Sequence, residues 1–230
     1  MSFSPEEFFD LGGFGHRAIF LDCAHVWDVL GKIEGYVRQK VRPDVLGKVE
    51  KGAHLFGDIS IGSGTVVEAG AYIRGPAIIG QHCQIRTGAY LRGDVLIGDG
   101  CIVGNSTELK NAILLNGAAA PHYNYCGDSV LGNRSNLGAG TKLSNFKIAA
   151  DKNIRLTVGG EVVDTGLKKF GAILGDGAQT GCNSVLNPGT VLGRDVLVYP
   201  CAAVRGYVPH RTVVKLRQAF DYATMAETPR

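Results

Sequence analysis

The sequence predicts an all-β chain wound as a single-stranded parallel β-helix, and three observations carry that prediction. Val49, Leu55, Ile61, Val67, Ile73, Ile79, Ile85, Leu91, Ile97, Val103 and Leu109 recur at every sixth position without a break. Neither helical periodicity nor strand alternation produces that period, whereas a coil whose short sides each point one residue inward does. Four residues after these aliphatics stand small side chains (Ala53, Thr65, Ala71, Cys83, Ala89, Cys101), which a narrow prism holds at close packing. Third, the 33 glycines track the hexads, where corners demand sharp turns.

Taken in order, Ser4-Pro5-Glu6-Glu7 reads as a helix start, with Ser4 as N-cap and Glu7 closing a capping box. Phe8, Phe9 and Leu11 follow, then Gly12-Gly13. A second helix is expected over about 24–39, with Val26, Trp27, Leu30, Ile33 and Val37 on one face. Residues 1–44 are thus expected to form an N-terminal helical cap over the first coil, since an open solenoid end exposes core and unpaired backbone. The coil itself is expected over 45–208. After Leu109 the inward positions continue at Leu114, Ala120, Cys126, Leu131, Leu137 and Leu143, with five-residue steps at 109–114 and 126–131. Residues 145–171 lose the period and read as an excursion loop carrying two short strands around Gly159-Gly160. The period returns at Leu174, Thr180, Leu186, Leu192, Val198 and Val204. Residues 209–230 then complete the chain as a C-terminal helix, over about 212–225, and a tail. The expected count is seven or eight coils.

The totals exclude several classes. Lys and Arg number 24 against 21 Asp and Glu, a net charge of +3 without a basic run, so nucleic acid is not expected. No apolar stretch reaches membrane-spanning length and the N-terminus lacks a signal-peptide pattern, so no membrane partner is expected and the chain reads as cytoplasmic. The six cysteines show no zinc spacing. Cys83, Cys101, Cys126 and Cys201 are expected to be buried thiols in a reducing compartment. The other histidines (His16, His25, His54, His82, His210) do not gather, and no metal is expected.

Register converts spacing into neighbours about 4.8 Å apart. Arg74, Arg92 and Lys110 each follow an inward aliphatic at the same spacing, so they are expected to stack as a ladder of cations. Like charges so close repel unless an anion or carboxylate intervenes, and a phosphate or a solvated edge are both open readings. His122 is expected between Asn105 below and Ala139 above, with Tyr125, Glu108 and Asn136 around it. An imidazole among a carboxylate, a phenol and carboxamides is a candidate general base.

The block VGNSTELKNAILLNGAAAPHYNYCGDSVLGNRSNLGAGTKLSNFK, residues 103–147, resembles the acetyltransferase domain of bifunctional UDP-N-acetylglucosamine pyrophosphorylases and of archaeal-type sugar-1-phosphate nucleotidylyltransferase/amino-sugar acetyltransferases. The likeness spans roughly residues 70–206 and does not reach the nucleotidylyltransferase half of those proteins. It implies a left-handed coil and a homotrimer with active sites between subunits. It also implies acetyl-CoA as donor and an amino-sugar 1-phosphate or nucleotide amino sugar as the small-molecule acceptor. Within it His122 matches the catalytic base and Glu108 the assisting acid. Arg92, Lys110, Tyr125, Asn136 and Asn145 match substrate-binding positions, with Lys152 the nearby lysine for another. Ala139, Cys182 and Pro200 fall along the acetyl-CoA arm. The expected activity is N-acetyl transfer to an amino sugar of the glucosamine-1-phosphate type. The alternatives are O-acyl transfer of the lipid A type, or a non-catalytic trimeric sugar-nucleotide-binding scaffold.

Overall fold

The computed structural model describes residues 3–148, 153–158 and 160–225. Short parallel strands stack into a three-sided prism, each strand pairing with the equivalent strand of the next turn. Nine strands, from Lys48–Val49 to Val213–Val214, line one side, so the described coils number nine rather than seven or eight. The register is that expected from the spacing: Ile61 pairs with Ile79, Leu91 with Leu109 and Leu109 with Cys126. From Ile61 onward the aliphatic series forms one continuous core, with Ile73, Ile85, Leu91, Ile97, Val103, Leu109, Leu114, Leu131, Leu137, Leu143, Leu174 and Leu186 all fully buried, whereas Val49 on the first rung is exposed and Leu55 partly so.

The small inward residues do more than fit. Thr65 Oγ1 donates to the Gly80 carbonyl at 2.7 Å, Cys83 Sγ to Gly98 at 3.1 Å and Cys101 Sγ to Leu115 at 3.0 Å. Each ties one coil to a corner carbonyl of the next, which would otherwise lie beside the core with its second lone pair unused. Cys126, without such a partner, is fully buried among aliphatics, and burial pushes its thiol far above the ordinary cysteine range. Cys201 is exposed, contrary to expectation, because it occupies a corner at φ +61° that turns its side chain outward.

The N-terminal residues do not cap the first coil. They run lengthwise down one side of the prism as a strap. Arg194 of an upper coil donates to the Glu6 and Glu7 carbonyls, Asn133 to Asp10, Asn116 to Gly13 and Asn111 to Leu30. At the bottom the Arg42 N–H meets Ser60 Oγ, delivering the chain into the first coils. The reason is an outward apolar column on that side: Ile78, Leu96, Ile113, Val130, Ile173 and Val191 stack in register. Phe8, Phe9, Phe20, Trp27, Leu30 and Ile33 cover it as a second core.

Ser4 is the N-cap of a one-turn helix, Pro5–Phe8, where its backbone carbonyl rather than its side chain takes the Glu7 N–H. The expected second helix is split at Gly31 into a 3-10 segment, Val26–Gly31, and an α-helix, Ile33–Lys40, though its five apolar residues are all buried. The excursion carries the antiparallel hairpin Arg155–Val158 with Glu161–Asp164. Ile154 and Leu156 fold back into the strap core rather than out into solvent. Asp151, Lys152 and Gly159 lie outside the described residues.

No helix forms at the C-terminal end of the described chain. Val213–Val214 adds a last rung to the prism and residues 215–225 are irregular, with Leu216, Phe220, Tyr222 and Met225 exposed. So short an amphipathic segment holds a helix only against a surface that buries its apolar face. No helix among the described residues is long and apolar enough to cross a membrane.

Candidate active site

The two sides of the prism left uncovered by the strap each carry part of the candidate site. On one, His122 ends the strand Ala119–His122 and stacks on Asn105. Its backbone is held by two hydrogen bonds, and the Asn124 that makes one of them is itself anchored. The His122 N–H donates to Asn124 Oδ1 at 3.1 Å, its carbonyl takes the Gly140 N–H at 2.9 Å, and Asn124 Nδ2 donates on to the Gly138 carbonyl at 2.9 Å. Asn124 is itself buried, and Tyr123 between the two turns the corner at φ +51°. The backbone is therefore fixed while the imidazole stands exposed.

Above His122 the same column continues through Ala139, Cys182 and Pro200. Leu137 pairs with Thr180 and Thr180 with Val198, and these three residues lie two further on in each strand direction. The Asn183 N–H on the Ala139 carbonyl and the Cys201 N–H on that of Cys182 extend the ladder to this edge. The column is thus a run of small or compact side chains rising along the coil axis from the imidazole.

On the adjoining side the cation ladder is as expected: Phe56 pairs with Arg74, and the Tyr72–Tyr90 and Tyr90–Glu108 registers place Arg92 and then Lys110 directly above. Carboxylates resolve its repulsion. Glu108 Oε1 accepts from Arg92 Nη1 at 2.7 Å, which stabilises the charged guanidinium further, and Asp128 Oδ1 lies 3.4 Å from Lys110 Nζ. Asp128 is only 4% exposed and also accepts from Asn111 Nδ2 and Asn145 Nδ2. Above Lys110 the ladder is interrupted by Gly127. A Cβ there would lie 2.6 Å from Tyr125 Oη and 2.7 Å from Asn145 Nδ2, so the glycine opens a cradle between a phenol and a carboxamide. Burial, then the Glu108 and Asp128 carboxylates, push the Tyr125 hydroxyl up from its ordinary value, so it stays protonated and able to donate.

Of the residues expected at the site, Arg92, Glu108, Lys110, Tyr125 and Asn145 gather in this cluster, and His122, Ala139, Cys182 and Pro200 in the column. Glu108 is brought to Arg92 rather than to His122: among the described residues no hydrogen bond joins it to the imidazole. Asn136 stacks on Ala119, on the histidine side and away from Asn145. Lys152 lies outside the described residues. Asp128, Asn111 and Asn124 were missed by sequence reasoning. For Asn111 and Asp128 the signal available was their place at corners where Asn and Asp adopt positive φ; Asn124, which follows the positive-φ Tyr123, carried no such signal.

A family model described as the GMPPB C-terminal domain matches residues 73–218. The bifunctional protein GlmU of Methanococcus maripaludis strain C7 is 45% identical over 177 residues, covering 77% of this chain and 42% of that protein. The bifunctional sugar-1-phosphate nucleotidylyltransferase/acetyltransferase of Sulfurisphaera tokodaii is 34% identical over 93 residues, 40% of this chain and 23% of that protein. The chain therefore spans less than half the length of these relatives. The UDP-N-acetylglucosamine acyltransferase of Francisella novicida superposes with a TM-score of 0.51 at 15% identity, covering 73% of this chain and 66% of that one. That likeness shows the fold, a left-handed parallel β-helix. With the family model spanning well over half of its residues, the chain belongs to the GMPPB C-terminal domain family.

Proposed function

We propose that the chain is an acetyl-CoA-dependent N-acetyltransferase acting on an amino sugar carried as its 1-phosphate or as a nucleotide sugar. The observation that carries the reading is that two adjoining sides of the prism carry, on one, a backbone-locked and exposed imidazole with compact residues above it and, on the other, a cradle of cations, carboxamide and phenol. Its likeness to nucleotidylyltransferase/acetyltransferases supports the same chemistry.

In this mechanism acetyl-CoA lies along Ala139, Cys182 and Pro200 with its thioester near His122. Arg92 and Lys110 hold the acceptor phosphate, and Tyr125, Asn145 and Asn136 orient the sugar and its amine. The amine nitrogen attacks the thioester carbonyl while His122 takes its proton. A backbone N–H at Ala139 or Cys182 stabilises the oxyanion. Collapse breaks the C–S bond, and the imidazolium returns the proton to the departing thiolate, leaving amide and CoA. Glu108 acts through Arg92 by fixing the guanidinium that meets the phosphate. Since the column and the cluster lie on two uncovered sides, a neighbouring copy in a homotrimer closes the groove between them.

The test is thiol release from acetyl-CoA with glucosamine- and galactosamine-1-phosphate and their nucleotide-linked forms. His122→Ala should lower kcat by about 10²–10⁴ while leaving acetyl-CoA binding intact. Unaltered transfer in that variant refutes the assignment, and a chain that sediments as a monomer while fully active refutes the shared groove.

A further inference from the structure

Below the cradle, the cation side also carries, alongside the cations, a stripe of aromatic rings that the proposed mechanism does not use. His54, Tyr72 and Tyr90 stack in register beneath Glu108, and Phe56 stands beneath Arg74. The rings touch one another: Phe56 and Tyr72 lie 5.1 Å apart at 28°, and Tyr72 and Tyr90 meet edge to face at 5.5 Å. Yet Phe56 is 50% and Tyr72 38% exposed, and Tyr72 and Tyr90 line an open notch of about 310 Å³. Arg74, exposed between this stripe and Arg92, has no carboxylate partner among the described residues, whereas Arg92 and Lys110 each have one.

Tyr72 and Tyr90 share the rungs of Arg74 and Arg92, so the aromatic stripe runs alongside the lower two cations, with Phe56 one rung beneath them and the glycine-opened cradle above. A sugar 1-phosphate held on Arg92 and Lys110 leaves Arg74 and the rings beside it without a partner group. We infer that the acceptor is a nucleoside-diphosphate amino sugar, whose base lodges on Phe56, Tyr72 and Tyr90 and whose diphosphate lies along Arg74 and Arg92. With rungs about 4.8 Å apart, the three steps from Gly127 down to Arg74 cover roughly 14 Å, the reach of a sugar plus diphosphate, and the Tyr72–Tyr90 notch lies beside the diphosphate end of that span. Stacking on an aromatic face and charge pairing with a diphosphate are complementary to this surface on both counts. The choice of sugar rests on the acetyl-transfer reading, but nucleotide binding does not.

The experiment titrates UDP, GDP and inorganic pyrophosphate into the wild-type chain and into Tyr72→Ala, Tyr72→Phe, Arg74→Gln and His122→Ala, with sedimentation of each variant. A nucleoside diphosphate should bind at least about tenfold more tightly than pyrophosphate, a margin that Tyr72→Ala removes and Tyr72→Phe keeps. Arg74→Gln should weaken nucleotide and pyrophosphate alike, and His122→Ala should change neither. Equal affinity for UDP, GDP and pyrophosphate overturns the inference. So does a Tyr72→Ala variant whose oligomeric state shifts while its nucleotide affinity does not, since the stripe is then a contact between copies. If no amino sugar is acetylated but Tyr72-dependent UDP binding persists, the acetyl-transfer reading fails and this one stands. If amino-sugar 1-phosphates are acetylated with a KM no higher than that of their nucleotide-linked forms, this one fails and acetyl transfer stands.

Discussion

Asp128 offers the sharpest test of how the acceptor cradle is built. Its carboxylate is 4% exposed and accepts from Asn111 Nδ2 at 2.9 Å, from Lys110 Nζ at 3.4 Å and from Asn145 Nδ2. Asp128→Asn keeps the shape, and at φ +47° asparagine is accommodated as easily as aspartate. The new amide nitrogen, however, must face either Asn145 or the pair Asn111 and Lys110, donor against donor. Leaving such a buried donor unpaired costs about 1–3 kcal/mol. Losing the charge opposite Lys110, whose side chain is 30% exposed, adds less than about 1 kcal/mol because solvent screens it. The total of roughly 2–3 kcal/mol should lower the melting temperature by about 4–12 °C for a chain of this size. Lys110 and Asn145 lose their fixed positions together, so the acceptor KM should rise about tenfold, ~1.4 kcal/mol, while the acetyl-CoA KM stays unchanged. Circular dichroism melting and steady-state thiol release read the two effects. A variant with wild-type melting and wild-type acceptor KM refutes the view that Asp128 positions the cradle.

Other outcomes follow from single environments. Burial first, and the Glu34 carboxylate next, raise the Asp94 carboxyl above its ordinary pKa. A raised folded-state pKa gives stability that is complete below the unfolded value of about 3.9 and lost as pH rises through the folded value. Asp94→Asn should therefore melt higher than wild type at pH 7 by under ~1 kcal/mol after solvent screening, and the gain should vanish near pH 4; a gain that persists there refutes the cause. Among the described cysteines Cys182 and Cys201 are exposed and Cys83, Cys101 and Cys126 buried, so native alkylation followed by peptide mapping should label the first two. Saturating acetyl-CoA should protect Cys182, and unchanged labelling there would remove it from the donor track. Trp27→Ala, which strips a 1% exposed ring from the strap, should cost about 3–5 kcal/mol and expose the column beneath it to a hydrophobic dye. A melting curve like wild type would mean the strap is not integral to the fold.

The core was legible because a solenoid repeats one constraint many times. Each aliphatic from Ile61 to Leu109 meets the same interior, so its period survives any single lapse. The strap was misplaced because its cover depends on a second, weaker signal. Ile78, Leu96, Ile113, Val130, Ile173 and Val191 each immediately precede an inward residue, where alternation leads one to expect a polar side chain. Read as a set, they mark a side that must be buried. The terminal helix failed for the opposite reason: the pattern of residues 212–225 is amphipathic, but among the described residues its Leu216, Phe220, Tyr222 and Met225 stay exposed. The cations and the imidazole were legible through register alone. The carboxylates were not, because a buried Asp128 and a solvent-facing one look identical in sequence until the corner geometry is known.

The five-residue steps explain why the chemistry collects where it does. In the coil below, Leu91 to Ile97 includes Arg92, Gly93 and Asp94, with glycine and aspartate both at positive φ around the corner. One rung higher Leu91 pairs with Leu109 and Val95 with Ala112, so only Lys110 and Asn111 fill the same corner. The next rung repeats the contraction with Gly127 and Asp128. Losing one residue lets Glu108–Leu114 and Tyr125–Leu131 run as unbroken strands around the bend. Asn111 and Asp128, both at φ +47°, are drawn into the corner instead of standing off it. There they meet Lys110 and Asn145 in a partly desolvated setting where a carboxylate and an ammonium interact more strongly than on an open edge. Insertion of a glycine between Lys110 and Asn111 should restore the six-residue corner, leave the core register intact and release Asp128 to solvent. The expected result is a folded chain with normal acetyl-CoA binding and an acceptor KM raised as in Asp128→Asn. Should acceptor binding survive the insertion unchanged, the contraction is a packing accident and the corner has no part in holding the substrate.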